Sequence, residues 1–133
     1  MKITRLTLGL GCDRGTPAAT IAQAIDEALA ACDAKLADVV AVASIDIKND
    51  EAGLLQLAAE RGWTLRFYSA DQLAAVDVPH PSETVRKHTG TPSVSEAAAL
   101  LAAGPGAALI VEKHRLRGAD GRNATVSIAR IQA

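Results

Sequence analysis

Short runs rich in β-branched residues alternate along this chain with longer alanine-rich stretches of helical period, and no other feature restricts its fold as much. That alternation builds a largely parallel sheet covered by helices on both faces, because each parallel crossover must climb over the sheet and return. Ile3 to Leu10 is the first expected strand. Thr16-Pro17 then opens a helix, with Thr16 predicted as N-cap and Pro17 at the first helical position, where its missing N–H costs nothing. Ile21, Ala24, Ile25, Ala28 and Leu29 recur at helical spacing, so one apolar stripe faces the sheet and the helix should end near Cys32.

Val39 to Ser44 is a continuous apolar run of strand length, as an interior strand buried on both faces requires. A second helix is predicted through Leu54, Leu55, Leu57 and Ala58 to a stop at Gly62, and Thr64 to Tyr68 makes a third strand. Ser69-Ala70-Asp71-Gln72 has the form of a capping box and should start a short helix. His80-Pro81-Ser82-Glu83 and Gly90-Thr91-Pro92-Ser93 each place turn residues and hydroxyl caps ahead of helical stretches, the second leading into Glu96 to Ala103. After Gly104-Pro105-Gly106, Ala107 to Val111 and Ala124 to Ile131 are strands, expected to pair antiparallel around a loop containing Asp120-Gly121. The fold class predicted is α/β: a single three-layer α/β/α domain, residues 1–133, with a mixed, mostly parallel sheet and a C-terminal antiparallel hairpin.

Composition narrows the functions open to such a domain. A chain of 133 residues holds one sizeable core and not two. Its aromatic fraction is 2%, confined to Trp63, Phe67 and Tyr68, so it lacks the dispersed stacking surface with which proteins hold single-stranded nucleic acid. The net charge of -1 supplies no field toward a polyanion or an acidic membrane, so no nucleic-acid or membrane partner is expected and anion recognition must be local. The longest apolar run, near Ala97 to Ala103, falls well short of a membrane span. Cys12 and Cys32 match no C-x-x-C spacing, and His80, His88 and His114 have no ligand spacing, so neither a metal nor a cofactor is expected. A reduced, cytoplasmic protein fits these features.

Three stretches could carry chemistry. Gly9-Leu10-Gly11-Cys12-Asp13-Arg14-Gly15-Thr16 leaves a strand and enters a helix, so its backbone N–H groups and the Arg14 fork suit a carboxylate or phosphate. The glycine spacing is not that of a dinucleotide fingerprint, and a turn whose glycines serve geometry alone is an equal reading. Cys12 is a candidate nucleophile, because a helix N-terminus with Arg14 beside it favours the thiolate, but no histidine is close in sequence to serve as its base, and a small packed cysteine is the favoured reading. Ser44-Ile45-Asp46-Ile47-Lys48 should lie at the carboxyl end of the second strand, where open α/β sheets place their ligands. There Asp46 and Lys48 suit acid/base work or the grip of a carboxylate, with an exposed loop ion pair as the commoner fate of such residues, and Ser44 suits the orientation of a water. Gly90, Thr91 and Ser93 form a second candidate anion cradle, with simple N-capping as the alternative. Lys113-His114-Arg115, with Arg117 and Arg122, is a basic cluster that ends a strand, and a solvated hairpin loop explains it equally well.

The stretches Gly9 to Thr16, Ala43-Ser44-Ile45-Asp46-Ile47-Lys48-Asn49-Asp50-Glu51 and Gly90-Thr91-Pro92-Ser93-Val94-Ser95-Glu96-Ala97-Ala98, in this order, resemble the cobalamin-biosynthesis family formed by the C-terminal domain of CbiG and its stand-alone relative CobE. Leu65-Arg66-Phe67-Tyr68-Ser69-Ala70 and Pro81-Ser82-Glu83 extend the resemblance over nearly the whole chain. It implies an α/β/α domain that handles a corrinoid or precorrin, a large apolar plate fringed with carboxylates, with another enzyme of the pathway as a second kind of partner. Full CbiG proteins, which carry additional N-terminal regions, open a lactone on a precorrin. The expectation here is a binding or carrier role, with precorrin hydrolysis through Cys12, Ser44 or Asp46 as the alternative, since no nucleophile has a base and an orienter at recognisable spacing. Gly9, Gly11, Cys12, Arg14, Gly15, Thr16, Ser44, Asp46, Lys48, Gly90, Thr91 and Ser93 are the candidate ligand-binding residues.

Overall fold

The computed structural model describes residues 5–76 and 94–132, which leaves His80, Pro81 to Glu83, His88 and the Gly90-Thr91-Pro92-Ser93 turn outside the described residues. Strands β1 (Leu6–Cys12), β2 (Val39–Ile45), β3 (Leu65–Tyr68), β4 (Ala108–Arg117) and β5 (Asn123–Arg130) form one sheet in the order β3-β2-β1-β5-β4. β1 pairs parallel with β2, β2 pairs parallel with β3, and β5 pairs antiparallel with both β1 and β4. Four strands therefore point one way and β5 opposes them, which is the mixed, mostly parallel sheet with a terminal hairpin that the sequence predicts.

The pleat of β1 divides the core. Leu6, Leu8 and Leu10 are buried on one face with Ile21, Ala24, Ile25 and Ala28 of helix α1 (Ala18–Ala31), and with Leu54 and Leu57 of α2 (Ala52–Arg61). On the other face Ala43 and Ile45 pack with Leu73 of α3 (Ala70–Ala74) and with Ala97 and Ala98 of α4 (Val94–Ala103). Thr7 Oγ1 donates to the carbonyl of Ala99 at 2.6 Å across the same layer. The close approach of α4 depends on Gly9, where a Cβ would lie 1.8 Å from the Ser95 carbonyl oxygen. Helices on both faces complete the three layers.

Local signals set the ends of the elements. Gly62 closes α2 in the left-handed conformation at φ 72°, and the capping box of α3 is complete, with Gln72 N–H donating to Ser69 Oγ and Ser69 N–H to Gln72 Oε1. β1 runs on to Cys12, past the expected end at Leu10, and two further boundaries differ from expectation. Pro17, extended at φ -62° and ψ 147°, is the N-cap of α1, while the Thr16 hydroxyl donates to the Asp13 carbonyl at 2.7 Å and so caps the preceding turn. β4 runs six residues past Val111, taking in Lys113, His114 and Arg115. Charged side chains suit an edge strand, and pairing with β5, regular from His114 to Arg117 after two register shifts, outweighs their weak strand preference.

Candidate functional site

Because β1 and β2 are parallel neighbours, the segments leaving their carboxyl ends meet above the sheet. The first is Asp13 to Thr16, with Gly15 left-handed at φ 83°. The second is a 3-10 turn, Asp46–Lys48, followed by Asn49, Asp50 and Glu51. Gly53 lets α2 press onto the first segment, since a Cβ there would stand 2.2 Å from the Thr16 carbonyl oxygen.

Glu51, the N-cap residue of α2, lies at the junction and is only 2% exposed. Its Oε1 accepts from the Gly15 N–H at 2.8 Å, and its Oε2 is 2.9 Å from Arg14 Nη1 and 3.9 Å from Lys48 Nζ. Burying a carboxylate is costly unless it is paired, and here two cations and a backbone N–H supply the pairing. Arg14 also donates to Asp50 Oδ1 at 3.0 Å and approaches the Ile47 carbonyl at 3.5 Å. Its hydrogen bond and charge hold the Asp50 carboxyl below its ordinary range. Gly15 N–H, Arg14 and Lys48, expected from the sequence to face a ligand anion, are turned here toward the chain's own Glu51. Sequence reasoning missed Glu51. An acidic residue directly ahead of a helix, three positions after Lys48, was the available signal; its pairing with the distant Arg14 was not.

The other candidates separate by position. Gly9 and Gly11 lie within β1 rather than in a turn, Gly9 beneath α4 and Gly11 with only Thr125 Cβ near its Cα, at 3.9 Å from an added Cβ, among the described residues. Ser44 is fully buried and donates to the Leu10 carbonyl at 2.7 Å, tying β2 to β1. Asp46 is exposed at the start of its turn. Cys12 packs at the margin of the core, where burial, reinforced by Glu51 and Asp13 against Lys48 and Arg14, pushes its thiol up to about 11. Desolvation outweighs the two cations, so Cys12 keeps its proton at neutral pH and is the small packed cysteine that the sequence favours over a nucleophile.

The rim continues onto the hairpin. Asp13 Oδ2 accepts from both the backbone N–H and the side-chain amide of Asn123, at 2.8 and 3.0 Å. Arg122 donates to the Arg14 carbonyl at 3.1 Å and pairs with Asp120 at 3.0 Å. Loops of β1, β2 and the β4–β5 hairpin are thereby joined into one polar edge.

A three-layer α/β/α domain with a charged loop pair at the carboxyl ends of its parallel strands is the class of protein that these features define. The family model described as "Cobalamin synthesis G C-terminus" matches residues 6–129, and the chain belongs to that family, within cobalamin biosynthesis. Two relatives bracket it. The chain is 39% identical over 126 residues to the "Cobalt-precorrin-5A hydrolase" of Priestia megaterium, an alignment covering 95% of the chain and 32% of that protein. It is 40% identical over 110 residues to "Protein CobE" of a Sinorhizobium species, covering 81% of the chain and 71% of that protein. The chain thus spans about a third of the hydrolase it matches. Its fold superposes on the crystal structure of CobE, a protein from the cobalamin biosynthetic pathway, with a TM-score of 0.83 and 35% identity, covering 97% of this chain and 92% of that one.

Proposed function

We propose that this domain binds a corrinoid or precorrin intermediate in cobalamin synthesis and acts as an accessory or carrier. The observation that carries this reading is the Asp46–Lys48 turn, where Ile47 is 55% exposed beside the Arg14 guanidinium, itself 61% exposed. An apolar plate fringed with carboxylates needs such a pairing of exposed apolar surface with cationic donors, and a guanidinium has five N–H groups, more than Arg14 spends on Asp50, Glu51 and Ile47. Carriage is favoured over catalysis because the Ser44 hydroxyl is spent on Leu10 and Cys12 holds its proton. The likeness to a hydrolase over nearly the whole of this chain supports the second reading, hydrolysis of a precorrin lactone with exposed Asp46 as a base.

Incubating the purified protein with successive pathway intermediates, then following ring absorbance through gel filtration and the mass of the ring, separates the two. Co-elution with unchanged mass is expected. Turnover to a ring of altered mass would replace carriage with hydrolysis, and no co-elution with any intermediate would remove the binding role.

A further inference from the structure

Glu51 takes up part of the charge of Arg14 and Lys48, so a ring with several carboxylates draws on further cations at the same end of the sheet. β4 runs in the direction of β1, which brings Arg115 and Arg117 to the edge where the β1 and β2 loops lie. Both are exposed, and among the described residues neither forms an ion pair or side-chain hydrogen bond, whereas Lys113 is committed to Glu96 and Arg122 to Asp120. The acids of the hairpin side of this rim are occupied as well, Asp13 by Asn123 and Asp120 by Arg122.

The strand register places Arg115 on a defined face. Arg115 pairs with Thr125, and Thr125 pairs with Gly11, so the three form one cross-strand row. One step back, Gly9 and Ser127 are buried beneath Ser95 of α4, but Gly11 and Thr125 are only half-buried. The row is a ledge just past the end of α4, floored by a glycine and a threonine and ended by a guanidinium. Arg117, two residues on, lies against the Gly121 turn, where an added Cβ would be 3.4 Å from Arg117 Nη2. From β1 to β4 is two strand spacings, roughly 10 Å, a distance that a macrocycle with carboxylates around its edge can bridge.

We propose that Arg115 and Arg117 bind peripheral carboxylates of the ring, whose plane rests on the Gly11–Thr125 ledge. The inference rests on the binding role above and adds the residues that recognise the substrate's charge. Each guanidinium offers a planar fork matched to a carboxylate, with no internal acid to displace first.

The test titrates cobyrinic acid, a corrin whose side chains end in free carboxylates, into three proteins by absorbance and equilibrium dialysis. These are the wild type, the Arg115→Ala/Arg117→Ala variant, and an Arg5→Ala/Arg130→Ala variant that loses the same charge from the opposite end of the sheet. Circular dichroism and melting temperature check that all three are folded. The expected result is at least a tenfold weaker Kd for the Arg115/Arg117 variant, with the Arg5/Arg130 variant close to wild type. Equal affinity in all three, or equal loss in both variants, would overturn the proposal while leaving the binding role standing. If the wild type binds no cobyrinic acid, the binding role falls for this ring class and the proposal falls with it.

Discussion

At the scale of single residues, the site is governed by how buried charge is satisfied. Glu51 is held by Gly15, Arg14 and Lys48, and in Glu51→Gln the amide leaves both cations without their buried counter-charge. Breaking a fully buried ion pair costs about 3–5 kcal/mol. Arg14 is 61% exposed, so solvent screens much of that, and a loss of about 1–3 kcal/mol is expected from the shift in urea midpoint. An unmoved midpoint would mean that Arg14 and Lys48 are solvated equally well without Glu51. Cys12 responds to the same environment in the opposite sense. Alkylation by iodoacetamide, followed by mass spectrometry, should still be accelerating beyond pH 9 in the folded protein, toward a thiol value of about 11. Because the unfolded thiol ionises near its ordinary 9.0, the unfolded chain loses this proton first, and stability should fall as pH rises between these two values. A rate that levels off by pH 9 would show that Arg14 and Lys48 outweigh burial.

At the scale of elements, two glycines of one strand have different tasks. Gly9 admits the backbone of α4, since a Cβ there would lie 1.8 Å from the Ser95 oxygen and 2.7 Å from the Ala99 nitrogen. Neither backbone atom can turn aside, so Gly9→Ala should cost about 1–3 kcal/mol or more and lower the melting temperature by several degrees. At Gly11 the nearest atom is Thr125 Cβ at 3.9 Å, so Gly11→Ala should leave the melting temperature nearly unchanged. Gly11→Val, which fills the ledge, should weaken ring binding more than it weakens the fold. Equal destabilisation by the two alanine substitutions would mean that α4 does not rest on Gly9. The length of β4 belongs to this scale too. Lys113-His114-Arg115 reads as a strand end or a hairpin loop by local preference and lies within the strand because β5 pairs with His114 and Arg115.

At the scale of the molecule, distant parts are joined by carboxylates held in their charged form. Arg14 lowers Asp50 between the β1 and β2 loops, and His114, with help from Gln23, lowers Glu27 between β4 and α1 at 2.7 Å. Each binds its proton at lower pH when folded than when unfolded, so each contributes stability above the ordinary carboxylate range and loses it as pH falls through the lowered value. The urea midpoint should be level from neutral pH to about 5 and decline below it, less steeply in high salt because both pairs are solvent-screened. A midpoint that held constant down to pH 3 would show these links to be absent in solution. The sequence by itself determined the α/β class, the terminal hairpin, the capping box at Ser69 and the family likeness, because hydrophobic period, turn residues and caps are short-range signals. It also located the loops around Arg14 and Lys48. The partner of these two cations was beyond it, since Glu51 reaches Gly15 across 36 positions only when β1 and β2 lie side by side. Likewise, Arg115 joins the rim through two successive strand pairings, and Cys12 keeps its proton through burial against neighbours from other elements. Contact and desolvation between remote residues are properties of the packed chain, and only the tertiary structure decided them.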